Sequence, residues 1–320
     1  MTDRSMLRSL GLTAAIAIAG SALAASSALS QEDWYPSKYG AEDELGAANL
    51  LSPDKVLAAT KLITTGETYA LGVPVGRDTP AFPPRSLSIT VLQPGQAAGA
   101  SLGANKMTYN DDIFMGWLGI GTQIDGLGHL GIDGVYYNGN KAENFAETTG
   151  LAKMSVDKIP PIVTRGVLID MARHKNVERM NEGEIITADD IRAATQAQGV
   201  EIREGDVAVF HTGWLSMLDE DPTRYGKGEP GIDAEAAEYL ASLSPVAVGA
   251  DTWGIEAVPF ATDRVFEAHQ VLLAKNGIYI LETLDTRQLI AGGVQEFMFV
   301  LGQPRYEGSV QAIINPVAIR

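Results

Sequence analysis

Short, continuous apolar runs alternate with capped helical segments along most of this 320-residue chain, and that alternation constrains its architecture more than any other feature. The runs are Thr68–Leu71, Leu87–Leu92, Gly166–Met171, Val207–His211, Val246–Ala250, Ile278–Leu281, Glu296–Leu301 and Val310–Ile314. Several are apolar at every position, as strands covered on both faces must be. The helical segments are Pro53–Leu62, Ala188–Gln198, Ala234–Leu243 and Asp263–Lys275. Ser52-Pro53, Thr187 with Asp189-Asp190, and Asp233 supply N-terminal caps, while Gly199 and Gly277 follow helix ends, where a left-handed residue costs little. Strands and helices in alternation predict an α/β fold with parallel pairing. No repeat and no long Pro/Gly/Ser linker interrupts the pattern, so one domain with elaborated loops around Val73–Gly103 is expected.

Composition removes whole classes of function. Cysteine is absent, which excludes disulfide scaffolds, thiolate metal sites and cysteine nucleophiles. Forty acidic residues against 24 basic ones give a formal net charge of −16, the wrong sign for a nucleic-acid or anionic-membrane partner. Only four histidines exist, His129, His174, His211 and His269. At the N-terminus, Arg4 and Arg8 precede the apolar stretch Leu10–Ala19 and the small-residue run Ser21–Ala24. Residues 1–30 therefore read as a secretory signal peptide, leaving 31–320 as a periplasmic or secreted protein with no membrane contact after cleavage.

The chemistry concentrates around Met115–His129, where Gly116, Gly119, Gly121, Gly126 and Gly128 surround Gln123, Asp125 and His129. Glycine permits close backbone approach, and residues two apart in an extended segment share a face, so Gln123 and Asp125 can converge with His129 beyond a bend. No Walker-type Gly-Lys-Ser/Thr occurs, which disfavours phosphate binding. Two distant residues bear on the same chemistry: His269 in a helical segment and Glu282 at the end of a buried strand. A carboxylate there must be paired or ligated. Two readings stand side by side, one in which Asp125, His269 and Glu282 bind a divalent cation, the other in which Glu282 pairs with Arg287 or Arg264 and His269 packs on its helix. Trp117, Tyr136, Tyr137 and Trp253 could wall a pocket for a planar substrate or simply fill the core. His211 and Asp251, at strand ends, join them as pocket candidates, with packing the alternative for His211.

Gly121-Thr-Gln-Ile-Asp125 followed by His129 resembles the His-x-Gly-Thr-His-x-Asp-x-Pro-x-His signature of the cyclase family, which includes bacterial kynurenine formamidase and isatin hydrolase. The resemblance extends through Tyr39-Gly, Asp43–Asn49, Thr212-Gly-Trp214 and Gly249-Ala-Asp251-Thr252 to His269 and Glu282-Thr-Leu-Asp285. This chain departs from it at Gly119 and Gln123, where the family places metal-binding histidines, and at Leu127 in place of the proline; the Gly-Thr-Gln-x-Asp form is identified as a variant subgroup. The resemblance implies a compact α/β fold of the swivelling β/β/α type, with a barrel-like mixed sheet and flanking helices, that assembles as a homodimer or homotetramer. It further implies one divalent ion, Zn or Mn, on Asp125, His269 and Glu282 with help from Gln123, and His129 as general base. The function so implied is a metal-dependent hydrolase of residues 31–320, arylformamidase-like, opening an amide, lactam or ester bond of a small molecule. A metal-dependent lyase or dehydratase and a non-catalytic periplasmic binding protein are the alternatives.

Overall fold

A computed structural model describes residues 34–92 and 101–320; the signal segment expected at 1–30 lies outside the described residues. Nine strands form one mixed sheet that curls into a half-barrel. In chain order they are β1 (Thr68–Ala70), β4 (Gln123–Asp125), β5 (Ile162–Asp170), β6 (Val207–His211), β7 (Ala247–Ala250), β8 (Tyr279–Glu282), β9 (Glu296–Leu301), β10 (Gln311–Ile313) and β11 (Val317–Ile319). Between β1 and β4, strands β2 (Leu87–Leu92) and β3 (Asp111–Gly116) pair as a separate antiparallel hairpin. The spatial order of the large sheet is β1-β11-β9-β5-β6-β7-β8-β4-β10.

The four central strands β5, β6, β7 and β8 run parallel, and every residue of β6, β7 and β8 is buried. That is the environment their unbroken apolar runs require. Outer strands join antiparallel on both sides, which makes the sheet mixed. Flanking helices are α1 (Pro53–Thr60), α2 (Ala188–Gln198) and α3 (Ala234–Ser242). A last helix starts as the turn Glu267–His269 and widens into a π-helix over Gln270–Lys275. Helix α1 packs on β5 and β9, while α2, α3 and the last helix pack on one another. Among the described residues no helix is long and apolar enough to cross a membrane.

Most expected elements form within one or two residues of their sequence bounds. Asp263–Phe266 does not become helical, because Phe266 adopts φ 52° and so stands outside the helix. Strands β3 and β11 have no counterpart in the apolar-run reading. Their strand character comes from pairing, β3 with β2 and β11 with β1 and β9. The hairpin is unusual in being exposed on both faces, with Ile89, Val91, Ile113, Phe114 and Met115 all open to solvent.

The caps are built as their residue types dictate. Thr187 Oγ1 accepts from the Asp190 N–H at 3.1 Å, and Asp190 Oδ2 accepts from the Thr187 N–H at 3.0 Å, a reciprocal box that closes the start of α2. Lys175 Nζ donates to Asp190 Oδ1 at 2.7 Å. Partial burial would raise the Asp190 carboxyl, but Lys175 and the Thr187 donors outweigh it and hold the group at about 2. A depressed carboxylate stabilises the fold above its unfolded value near 4 and loses that contribution as pH falls toward 2. Thr187→Ala should cost about 1 kcal/mol at pH 7. In urea titrations, the stability gap between wild type and Asp190→Asn should close between about pH 4 and pH 2.

Candidate metal centre and cleft

Strand β4 lies between β8 and β10, and its register sets the site. Gln123 faces Glu282 across one ladder and Ile313 across the other, while Asp125 faces Ile280 and Gln311. Directly opposed residues share a face, so Gln123, Asp125, Glu282 and Gln311 all project to one side of the sheet. Gly121 turns the chain into β4 at φ 64°, with its α-carbon packed where a β-carbon would meet Val75 Cγ2 at 2.6 Å. This close approach is what the glycine-rich segment provides.

Two carboxylates buried side by side are expensive without positive charge or donors between them. The chain supplies several. Gln311 Nε2 donates to Asp125 Oδ1 at 2.6 Å, and Gln123 Nε2 reaches Glu282 Oε2 and, at 3.4 Å, Asp125 Oδ1. From the last helix, His269 Nε2 lies 3.3 Å from Glu282 Oε1 and 3.7 Å from Asp125 Oδ2. Its other nitrogen, Nδ1, bonds Glu256 Oε1 at 2.6 Å, and the same oxygen accepts the His269 N–H at 2.8 Å. Glu256 thereby aims Nε2 at the carboxylates, as a carboxylate behind a ligating imidazole does. Asp125 Oδ2 is buried and receives no hydrogen bond. His129 Nε2 stands 3.8 Å from that same oxygen.

The ligand atoms of Asp125, His269 and Glu282 all lie within 4.8 Å of one another. Donors held tetrahedrally at roughly 2.0–2.2 Å from one ion are about 3.3–3.6 Å apart, close to the observed 3.3 and 3.7 Å. The residues therefore fit a divalent cation: a buried O/O/N set with one carboxylate oxygen lacking any donor. Burial and the neighbouring Asp125 raise the Glu282 carboxyl. Burial works against a charged His269, but hydrogen bonds to Glu256 and Glu282 overcome it and raise the imidazole. Both shifts mark a site short of positive charge. His129 goes the other way, lowered by burial despite Asp125, which favours a neutral imidazole. Glu282 takes neither arginine partner: Arg287 pairs with Asp285 and Asp219, and Arg264 with Glu267.

A cleft of about 200 Å³ opens beside this cluster, lined by His129, His269 and Glu282 together with Phe82, Arg85, Trp253 and Phe266. Three non-glycine residues with left-handed φ lie in the chain next to its groups: Ile255 (52°) beside Glu256, Phe266 (52°) in the cleft wall, and Thr283 (53°) after Glu282. For β-branched Ile255 and Thr283 such angles are costly, a pattern characteristic of sites whose geometry is over-determined by their surroundings.

Of the expected pocket residues, the structure brings only Trp253 to this cleft. Trp117 stands half-exposed at the root of the hairpin, lining a separate depression with Ser86–Ser88. Tyr137 is buried, and its hydroxyl bonds Asp43 Oδ2 at 2.7 Å and Ser37 Oγ, clasping residues 37–43 to the turn Tyr137–Gly139. Tyr136 packs edge-on against Phe145 at 5.3 Å. Asp251, fully buried, accepts from the Thr212 N–H, the Thr212 hydroxyl and the Gly213 N–H at 2.8, 2.6 and 2.9 Å, so it fixes the loop after β6. His211 sits against Thr286 and Asp251 and opens on a different surface depression. Trp117, Tyr136 and Tyr137 were placed by nearness in sequence and His211 and Asp251 by their strand ends, and none of the five lines this cleft. The sequence reading missed Glu256, Gln311, Arg85, Phe82 and Phe266, and also Glu229. Glu229 is fully buried beside the site, and burial and then Glu282 push its carboxyl well above the usual range.

The family model described as "Putative cyclase" matches residues 69–257. This chain belongs to the cyclase family. A crystal structure described as a novel cyclase is 28% identical, with a TM-score of 0.80 over 88% of this chain and 98% of its own. Isatin hydrolase A from Ralstonia solanacearum is 20% identical, with a TM-score of 0.61 over 84% of this chain and 98% of its own. A predicted metal-dependent hydrolase from Bacillus stearothermophilus is also 20% identical, with a TM-score of 0.55 over 80% and 98%. This chain thus shares its fold with both. No curated protein sequence matches it.

Since Asp251 anchors a loop and lies off the cleft, Asp251→Ala should destabilise by about 3 kcal/mol or more, leaving several buried donors unpaired. Calorimetry should register a Tm drop of roughly 5–10 °C. An unchanged Tm would return Asp251 to the candidates for a direct functional role.

Proposed function

We propose that this chain is a metal-dependent hydrolase of an amide, lactam or ester bond in a small planar molecule. The observation that carries the reading is the buried Asp125–His269–Glu282 triad with an unpartnered Asp125 oxygen at its centre. The fold shared with isatin hydrolases and predicted metal-dependent hydrolases supports it. Asp125, His269 and Glu282 would hold one divalent ion, Zn or Mn, and Gln123 would contribute its amide oxygen once turned about its terminal bond. Such an ion supplies Lewis acidity, polarising a carbonyl and making bound water acidic near pH 7.

The chain's own groups supply the rest. Glu256 keeps His269 in one tautomer and one orientation. His129, half-buried and favoured in its neutral form, accepts the proton of the attacking water and returns it to the leaving nitrogen or oxygen. The C–N or C–O bond breaks, and the products are a carboxylate and an amine or alcohol. Phe82, Trp253 and Phe266 stack against a planar substrate and exclude water.

Elemental analysis of the purified protein should find about one equivalent of Zn or Mn, lost in Asp125→Ala and His269→Ala. His129→Ala should keep the metal yet lose about 10²–10⁴-fold in turnover of an N-aryl formamide or an isatin-type lactam. Full turnover in metal-free protein defeats the proposal. Mass spectrometry adds a further check: a hydrolysed product gains one water, an eliminated one does not, and stoichiometric ligand binding without turnover marks a receptor.

A further inference from the structure

We propose that Arg85 is an anion-binding residue of the cleft, reading a negatively charged oxygen on a single-ring planar ligand such as an aromatic carboxylate. The inference deepens the hydrolase reading and rests on this cleft being the substrate site. Arg85 follows the turn Phe82-Pro83-Pro84, which is closed by its own N–H on the Phe82 carbonyl at 3.0 Å. Prolines preset such turns, so one short rigid segment delivers both an aromatic ring and a guanidinium to the cleft.

Where that guanidinium goes depends on Gly119. A β-carbon there would lie 2.7 Å from Arg85 Nη1 and 2.4 Å from Gln311 Oε1. The space above Gly119 is thus filled by the guanidinium and by the amide that itself donates to Asp125. A permanent cation stands beside the carboxylate cluster at the position where a side chain on residue 119 would project. Its field reaches both His129 and Glu282. Among the described residues its one side-chain hydrogen bond runs from Nη1 to the neutral Gly119 carbonyl at 2.9 Å. The remaining N–H donors of the fork are free to take a carboxylate in two-point fashion.

The walls favour a ring beside that charge. Phe82 lies 5.9 Å from Trp253 at 35° and 6.0 Å from Phe266 at 77°, and Phe266 meets the His269 ring edge-on at 5.2 Å. An arginine at the end of an aromatic slot distinguishes an anionic ring compound from its neutral isostere, because desolvated charge-assisted bonds far outweigh neutral ones. Hydrolysis also leaves a carboxylate at the reacting carbon, so the same residue holds product.

Isothermal titration with benzoate and with neutral benzamide tests this on the full protein. Wild type should bind benzoate more tightly. Arg85→Met should weaken benzoate by about tenfold or more while changing benzamide less than about twofold. Arg85→Lys, which keeps the charge but loses the fork, should fall between and covers the case in which Arg85→Met does not fold. Absence of benzoate binding by wild type, or equal benzoate affinity across the three proteins, overturns the proposal. Metal content and turnover of the wild type separate it from the hydrolase reading. An Arg85-dependent preference for benzoate in a protein without metal or turnover keeps the anion site and removes the hydrolase, whereas turnover with benzoate indifferent to Arg85 does the reverse.

Discussion

Two carboxylates, Asp125 and Glu282, are forced into one buried pocket by the pairing of β4 with β8, and much of the surrounding structure answers that charge. Amide donors come from Gln123 on the same strand and Gln311 on the next. An imidazole comes from the last helix, oriented by Glu256, and a guanidinium from the turn before β2. Even with these, one oxygen of Asp125 has no donor. In a low-dielectric interior an unmet carboxylate oxygen is costly, which is the electrostatic ground for the proposed cation.

The scaffold bears the mechanical load that this concentration of charge creates. Parallel central strands, buried on both faces, give β8 a rigid base. The left-handed angles at Ile255, Phe266 and Thr283 are concentrated where the chain leaves or approaches the site, and the wide π-turn follows His269 directly. Irregular backbone next to catalytic groups is a familiar cost of aiming side chains that regular geometry would point elsewhere.

The sequence foretold the architecture well, because buried strands and capped helices declare themselves through local chemistry. Thr187 with Asp190, Ser52 before Pro53, and Asp233 before α3 all cap where their types predict. Residue chemistry alone left Asp125, His269 and Glu282 open between a shared site and separate packing or arginine pairing, and the family resemblance named them as a set; the structure brings the three together. Glu256, Gln311 and Arg85 were not, because each looks like an ordinary polar loop or strand residue until tertiary pairing brings it in. The aromatic candidates misled for the converse reason. Trp117 is six residues from Gln123, but it follows the separate β2–β3 hairpin while Gln123 belongs to the large sheet, and Tyr137 serves a clasp on residues 37–43.

The pleat of β4 carries an implication for how such a site can change over time. Odd-numbered residues of this strand look into the pocket and the one between them looks away, so sliding the strand by a single position would exchange its polar pair for Ile124 and abolish the chemistry at once. A slide of two positions would put Gln123 where Asp125 now stands and Gly121, which has no side chain, in the place of Gln123. Only the present register therefore sets both an amide and a carboxylate of this ribbon on the side of Glu282.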